Sequence, residues 1–118
     1  MDRKKIKPQR IIQTFLRHIP NNIKVKGVFL FGSYATGQAH EDSDLDFIII
    51  SPDFKNMHFM KRLELLSHVQ GANPLTRSVP MDIIGYTPEE FKNIDKESIV
   101  MKRAKKEGRF INSEGIAK

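Results

Sequence analysis

The stretch DSDLDFIII, residues 42–50, decides the predicted fold because it joins a group of acids to an apolar run. Residues 45–50 are apolar except for Asp46, which predicts a buried strand with carboxylates at its mouth. Side chains alternate along a strand, so Asp44 and Asp46 are expected on one face and Leu45 on the other. Crowded carboxylates are costly unless water or a cation neutralises them. Hard oxygen ligands at a rigid place suit Mg²⁺, and the alternative is a plain acidic loop before a strand.

A second strand is predicted from Val25 to Phe31, and it ends at the pair Gly32-Ser33. The small residues that follow, as far as Ala39, predict one or two turns of helix. Glycine allows a backbone to come close to a ligand, and amides at a helix N-terminus attract phosphate, to which a serine hydroxyl adds a donor. The alternative is a simple strand-to-helix turn in which Ser33 is the N-cap.

A third strand, from Val79 to Gly85, carries a single acid at its centre. Alternation puts Met81 and Ile83 on one face of this strand and Asp82 on the other. An acid in the middle of an apolar strand costs several kcal/mol unless ionic partners or hydrogen bonds satisfy it. Asp82 is therefore a candidate site residue, and a structural salt bridge is the alternative.

Hydrophobic periodicity and turn residues predict the remaining elements. A helix begins near Pro8 and ends before Pro20, and Thr87 with Glu90 forms a capping-box pattern at the start of another. The other predicted segments are an amphipathic helix with Met57, Phe59, Met60, Leu63, Leu66 and Val69, a loop from Gly71 to Ser78, a helix around Glu97 to Lys106 that ends at Gly108, and a short strand at Phe110-Ile111. This order predicts an α/β fold, a small mixed β-sheet with helices packed on it.

Length and composition limit the class of protein. The 118 residues fit a single domain over residues 1–118. No apolar run approaches the roughly 18 residues that span a bilayer, and no signal-peptide pattern is present, so we expect a cytoplasmic protein without a membrane partner. Cysteine is absent, which excludes disulfides and thiolate metal sites.

The net charge of +6 belongs to the two ends of the chain. Residues 1–10 and residues 102–109 each carry five basic residues and one acid. Basic ends can bind nucleic acid or an acidic partner. A solvated helix face is the simpler interpretation, so the charge supports a nucleic-acid partner only weakly.

The glycine turn and the acids follow a recognisable spacing. Gly32-Ser33 is followed after ten residues by Asp44-Leu45-Asp46, and Asp82 comes later on a strand of its own. This spacing resembles the DNA polymerase β-like nucleotidyltransferase superfamily. The segments that most resemble its minimal nucleotidyltransferases are FGSYATGQA (residues 31–39), DSDLD (residues 42–46) and a tail ending in KEG (residues 106–108).

The resemblance implies a metal-dependent enzyme with a polymerase β-like core. In the family, paired acids and a third acid bind Mg²⁺, which maps to Asp44, Asp46 and Asp82. The Gly-Ser turn holds the triphosphate, which maps to Gly32 and Ser33. An acceptor hydroxyl attacks the α-phosphorus of ATP and pyrophosphate leaves, with two metal ions about 3.5–4 Å apart stabilising both oxygens. Asp82 is expected on the acceptor side, where it could accept the hydroxyl proton.

The same resemblance implies a protein partner. Minimal nucleotidyltransferases often pair with a small helical HEPN-type toxin, a ribonuclease, and neutralise it by binding it or by transferring AMP to its tyrosine. The polymerase-like core occupies nearly the whole of this chain, so we expect a partner to present the acceptor within a toxin–antitoxin complex. The alternatives are an antitoxin that acts by binding alone, and nucleotide transfer to a small molecule.

Overall fold

The computed structural model describes residues 7–40 and 42–111, so the basic residues before Lys7 lie outside it. Its helices and strands, in chain order, are α1 (Pro8–Arg17), β1 (Gly27–Phe31), α2 (Ser33–Thr36), β2 (Leu45–Ile50), α3 (Phe59–Gly71), α4 (Pro74–Arg77), β3 (Met81–Tyr86), α5 (Pro88–Lys92), α6 (Ile99–Glu107) and β4 (Arg109–Phe110). Two short 3-10 turns span Pro52–Phe54 and Ile94–Lys96. Helix α3 has 13 residues. Among the described residues, no helix has both the length and the apolar character needed to cross a bilayer.

Four strands form one mixed sheet in the order β3-β2-β1-β4. Strand β1 is antiparallel to both β2 and β4, whereas β2 and β3 are parallel. A parallel pair needs a long crossover connection, and α3 with α4 supplies it between β2 and β3. The α/β fold predicted from the sequence, a small mixed β-sheet with helices packed on it, is therefore confirmed.

One face of the sheet carries most of the hydrophobic core. Leu30, Leu45 and Phe47 point to this face and pack in a cluster with residues of α1 and α3. The rings of Phe47 and Phe15 meet edge-on with their centroids 5.3 Å apart. Full burial of a side chain of this size contributes roughly 1.5–3 kcal/mol, so this face holds the sheet against the helices.

The opposite face is covered over only part of its length. A smaller cluster beneath α5 and α6 contains Phe29, Ile48, Ile50, Tyr86, Phe91 and Ile94. Because side chains alternate along strands, Asp46 continues the row of Ile48 and Ile50, and Asp82 continues the row that ends at Tyr86. The two acids therefore lie on this second face, next to the part that is core.

Helix ends follow the predicted signals. The capping box of α5 is present: the N–H of Glu90 donates to Oγ1 of Thr87 at 3.1 Å, and the N–H of Thr87 donates to Oε1 of Glu90 at 2.7 Å. Helix α6 begins after Ser98, whose hydroxyl accepts from the N–H of Met101, and ends before Gly108. The last strand is also present, displaced by one residue from its predicted position.

The predicted loop from Gly71 to Ser78 is wrong, because it contains helix α4. Pro74 occupies the first helical position, and the Asn73 side chain caps the helix by accepting from the N–H of Leu75 at 2.8 Å. Asparagine before proline is also a turn signal. The helix is one turn long, too short for periodicity to distinguish it from a turn.

The predicted apolar face of α3 is also wrong. Leu66 and Val69 are buried as expected, but Phe59, Met60 and Leu63 are 49%, 62% and 48% exposed. Arg62 takes the inward position instead and is only 4% exposed. Its guanidinium donates hydrogen bonds to residues outside the helix, namely Gly85, Glu90 and Phe54. Helical periodicity does not predict contacts of this kind.

Candidate active site

The turn between β1 and α2 is built on a glycine. Gly32 has φ 72° and ψ −160°, and its carbonyl accepts from the N–H groups of Ala35 and Thr36 at 3.0 and 3.3 Å. The alternative interpretation with Ser33 as N-cap is wrong, because Gly32 occupies that position. Within the described residues the hydroxyl of Ser33 has no hydrogen-bond partner, so it remains available to a ligand.

Gly32 lies directly against the carboxylate of Asp46. A Cβ at position 32 would overlap Oδ2 of Asp46 and would lie 3.0 Å from its Cγ. The register of the antiparallel pair explains this closeness, since Asp46 lies opposite Phe31, the residue before the turn. The missing side chain of Gly32 therefore leaves the space that the carboxylate occupies, and the turn and the acid form one unit.

Asp46 and Asp82 are register partners on the adjacent parallel strands β2 and β3. Neighbouring strands lie about 4.8 Å apart, so the two side chains emerge next to each other on one face. Asp44 lies just before β2, so strand alternation does not apply to it, although Leu45 does pack on the opposite face as predicted. The structure thus brings Gly32, Asp46 and Asp82 together. Asp44 is close enough for its negative charge to raise the pKa of Asp46.

The acids repel one another. Asp46 is partly buried, whereas Asp44 and Asp82 are exposed. Burial, and then the negative charges of Asp82 and Asp44, raises the pKa of Asp46 from 3.8 to about 6. The ion pairs formed in residues 7–40 and 42–111 include none of the three. A cation from outside the chain would stabilise their ionised forms.

These residues fit a metal ion that takes part of its coordination from a ligand. In the part of the chain that the structure describes, no group of three or more His, Cys, Asp or Glu side chains is arranged to hold a metal. Mg²⁺ commonly takes one or two carboxylates and completes its octahedral shell with water and substrate phosphates. The paired carboxylates of Asp46 and Asp82 fit the protein's share of that coordination.

Two apolar residues beside the acids were missed by the sequence reasoning. Phe31 is the cross-strand partner of Asp46, and Ile84 follows Asp82 by two residues on the same face of β3. Both are partly buried against the smaller core cluster. Strand alternation could have identified them, since each shares its face with an acid. They give the carboxylates an apolar boundary on the side of the core.

The three acids do not line the cavity beside Arg62. That cavity, of about 610 Å³, is lined by Pro52, Arg62, Thr87 and Glu90 among others. Pro52 and Thr87 follow the last residues of β2 and β3, whereas Asp46 and Asp82 lie near the first. A ligand bound at the acids would therefore contact the sheet surface and the Gly32 turn.

Replacing Gly32 by alanine is expected to destabilise the fold and displace Asp46. A residue other than glycine in this backbone region costs about 1–3 kcal/mol, and overlap of the new Cβ with Asp46 adds to it. Gly37→Ala is the matched control, because Gly37 has φ 78° but a Cβ at position 37 would have no neighbouring atom within 4 Å. Urea denaturation should show the larger loss for Gly32→Ala, and only that variant should weaken Mn²⁺ binding, followed by water proton relaxation. Equal behaviour of the two variants would show that backbone strain alone matters.

Comparison with known proteins assigns most of the chain to one family. Residues 9–108 match the family described as "Nucleotidyltransferase domain". A curated protein of Methanocaldococcus jannaschii, named "Putative protein adenylyltransferase MJ1379", is 31% identical over 62 residues. These residues are 52% of this chain and 62% of that protein, so the match spans about three fifths of the relative's length.

Solved structures share the fold. A structure described as a "putative nucleotidyltransferase from Sulfolobus solfataricus" superposes with a TM-score of 0.61 at 19% identity, covering 89% of this chain and 79% of its own. A structure described as "the toxin-antitoxin with AMP-PNP" gives a TM-score of 0.56 at 22% identity, covering 91% and 77%. At these identities the likeness extends to the arrangement of helices and strands.

Proposed function

This chain belongs to the nucleotidyltransferase domain family, and from that premise we propose that it transfers AMP from ATP to a hydroxyl group of a partner protein in a Mg²⁺-dependent reaction. One observation carries the proposal. Asp46 and Asp82 present two carboxylates in register on one sheet face, and the Gly32 turn closes against the first of them. This arrangement suits a site that holds a metal ion and a triphosphate together.

Each residue then has a distinct part in the reaction. The backbone N–H groups of the turn and the hydroxyl of Ser33 would donate to phosphate oxygens, and Gly32 would let the phosphates approach the backbone. Asp44, Asp46 and Asp82 would hold Mg²⁺, which when bound neutralises charge on the triphosphate and on the departing pyrophosphate.

The transfer exchanges one phosphorus–oxygen bond for another. The acceptor oxygen forms a bond to the α-phosphorus of ATP, and the bond from that phosphorus to the bridging oxygen of the β-phosphate breaks. Asp82, the more exposed acid on the edge strand β3, would accept the proton of the acceptor hydroxyl. The products are the AMP-modified acceptor and pyrophosphate.

The proposed acceptor is a protein, a helical toxin of the HEPN type. Support comes from the resemblance to minimal nucleotidyltransferases, from the adenylyltransferase name of the archaeal relative, and from the toxin–antitoxin complex that shares the fold. The exposure of Asp44 and Asp82 is consistent with this acceptor, since an enclosed pocket would exclude a protein segment.

Asp82→Asn is expected to abolish AMP transfer while leaving the partner complex intact. The test combines the protein, ATP and Mg²⁺ with a purified helical toxin of the HEPN type, and mass spectrometry follows this partner. The wild type should add about 329 Da per event, the mass of an AMP residue, and Asp82→Asn should add nothing. Co-elution in gel filtration should be equal for both proteins, because the substitution removes one charge without changing the shape of the side chain.

The remaining outcomes identify the alternatives. A partner that gains no mass, and whose neutralisation survives Asp82→Asn, would show an antitoxin that acts by binding alone. A labelled small molecule formed without any partner would show transfer to a small acceptor. Either result would contradict transfer to a protein.

A further inference from the structure

The outer edge of strand β3 is not paired with another strand. Strand β3 stands at the end of the order β3-β2-β1-β4, so β2 is its only neighbour among the strands that the structure describes. The N–H of Leu45 donates to the carbonyl of Pro80 at 2.9 Å, and the N–H of Ser51 donates to that of Tyr86 at 2.9 Å. Successive residues of a strand turn their backbone groups to opposite sides. The even-numbered residues of β3 therefore face β2, and the odd-numbered residues face outward.

Arg62 closes one end of this outer edge. Its Nη1 donates to the outward carbonyl of Gly85 at 3.0 Å, and Gly85 is buried. The same guanidinium pairs with Glu90 of α5 at 2.7 Å, so it connects α3 and α5 at this end of β3. A charged side chain that occupies an edge prevents another strand from pairing there.

The other end of the edge has no such closure. Met81 and Ile83 turn their N–H and carbonyl groups outward, and no hydrogen bond within residues 7–40 and 42–111 involves these groups. Backbone donors and acceptors nearly always have a partner, so water or another chain must bind them. Asp82, between these two residues, is exposed. We call this unpaired part, residues Met81–Ile83, the open edge, and it adjoins a candidate catalytic acid.

We propose that the open edge binds an extended segment of the partner protein as a fifth strand, and that this segment carries the acceptor hydroxyl. The inference rests on the proposed transfer of AMP to a protein. A residue paired with Asp82 would lie on the same face of the sheet about 4.8 Å away, the spacing between the strands of Asp82 and Asp46. Its hydroxyl would therefore stand beside the acids. A helical partner can supply such a segment from a loop or a chain terminus.

The charges beside the open edge indicate the character of this segment. Asp44 and Asp82 are exposed, and neither they nor Asp46 form an ion pair with a described residue. Asp44 directly precedes Leu45, the register partner of Met81, so the acids lie at the same end of β3 as the open edge. Main-chain hydrogen bonds would supply affinity, and a basic residue beside the hydroxyl would complement the acids.

A second copy of this chain is a poorer occupant. The open edge is three residues long, so pairing of two copies about a two-fold axis would bring their Asp82 side chains within a few positions of each other. Like charges on paired strands are destabilising. Each chain also carries a net charge of +6, which adds long-range repulsion.

Peptides methylated on backbone nitrogens test the open edge. The parent is a fluorescently labelled peptide of threonine and valine with a central tyrosine and one lysine beside it. One derivative carries N-methyl groups on the two residues next to tyrosine, and the other carries them on the two residues one position further out. The N–H groups of these two sets point to opposite sides of an extended chain, so only one set faces β3. By fluorescence anisotropy, one derivative should bind at least tenfold more weakly than the parent, and the other should bind as the parent does.

Two variants at one position test the same contact from the protein side. Met81→Pro and Met81→Ala both remove a partly buried side chain, but only proline removes the outward N–H. Proline is tolerated where the N–H of an edge strand faces away from the sheet. Met81→Pro should bind the parent peptide at least tenfold more weakly than Met81→Ala, and the two variants should match in Mg²⁺-dependent ATP binding.

Amide hydrogen exchange of the wild type keeps the test decisive if Met81→Pro does not fold. The parent peptide should slow exchange at the N–H groups of Met81 and Ile83, whereas those of Asp82 and Ile84 already face β2 and should not change. Unchanged exchange at Met81 and Ile83 would overturn the inference.

The other outcomes are equally distinct. Equal affinity of the three peptides, including no binding by any of them, would overturn pairing at the open edge. A wild-type dimer in sedimentation velocity that Met81→Pro abolishes and Met81→Ala preserves would assign the edge to a second copy. Selective peptide binding without any ATP binding would leave the open edge standing and contradict the proposed function. AMP transfer to a protein without selective peptide binding would do the reverse.

Discussion

Asp46→Asn is expected to abolish Mg²⁺-dependent ATP binding and to reduce AMP transfer by roughly 10²–10³-fold, the effect of removing one electrostatic stabiliser of a transition state. Asp46 touches the Gly32 turn and lies in register with Asp82, so it is the acid that connects the turn to the second carboxylate. Calorimetry with ATP, with and without Mg²⁺, and label transfer from ATP measure the two effects.

The same substitution should leave the fold as stable as the wild type, or slightly more stable. It removes one of three mutually repelling charges, and the partly buried position of Asp46 makes its ionised form costly. Chemical denaturation without metal gives the comparison. A large loss of stability would mean that Asp46 is a structural residue and that the candidate site is wrong.

Asp42→Asn is the matched control for this experiment. Asp42 belongs to the same acidic segment and is exposed, but it lies outside the strand and outside the group of acids that interact with Asp46. If charge density alone attracted the metal ion, both variants would lose binding to a similar degree. A specific ligand set predicts a loss in Asp46→Asn alone.

Arg62→Met is expected to destabilise the protein by a few kcal/mol, because each buried acceptor that loses its donor costs about 1–3 kcal/mol. Arg62 is buried, whereas the side chain of Glu90 is 34% exposed and stays partly solvated. The guanidinium donates to Oε1 of Glu90 at 2.7 Å and to the carbonyls of Met57, Gly85 and Phe54 at 2.9, 3.0 and 2.7 Å. Methionine fills similar volume but leaves these acceptors without a donor. Such a loss is a large fraction of the 5–15 kcal/mol that typical domains possess.

The ionisation of Glu90 depends on its contact with Arg62. Burial opposes its ionisation, but hydrogen bonds from Arg62 and from the Thr87 backbone outweigh burial and lower the pKa of Glu90. A carboxyl whose pKa is lowered by folding stabilises the folded state above its unfolded pKa, and the stabilisation is lost as pH falls through the folded pKa. The difference in stability between wild type and Arg62→Met should therefore shrink on the acid side of the usual glutamate pKa.

Urea denaturation at neutral and acid pH measures both effects. Arg103→Met is the control, because Arg103 also pairs with a glutamate, at 2.8 Å, but is exposed on α6. Its unfolding midpoint should match that of the wild type. A midpoint for Arg62→Met equally close to the wild type would show that the buried network contributes no net stability.

Local patterns predicted much of the fold. The apolar run from Leu45 to Ile50 forms strand β2 with the predicted bounds, and the capping box at Thr87 begins α5 as expected. These features depend on residues within one turn or one strand, so the nearby sequence contains the information. The one-turn helix α4 was missed because a segment so short has no period.

For the candidate site too, local rules predicted some features, and the tertiary structure decided the others. Its residues were chosen from the sequence by their type and spacing, and alternation correctly separated Asp46 from Leu45 and Asp82 from Ile83. The position of Asp82 beside Asp46 depends on the pairing of strands that lie more than 30 residues apart. Alternation along a strand does not assign Asp44 to a face, since strand β2 begins one residue after it.

The sequence by itself determined which segments are strands, which residues share a face of each strand, and which side chains are candidates for the site, because these follow from alternation and residue type. Only the tertiary structure decided that β2 pairs in parallel with β3, that Gly32 closes against Asp46, and that α3 turns Arg62 inward. The reason is physical. The period of a strand or helix shows which residues share a face. What covers that face depends on hydrogen bonds and packing with distant segments. Arg62 lies inward because it donates hydrogen bonds to Gly85 and Glu90, which are far away in the sequence.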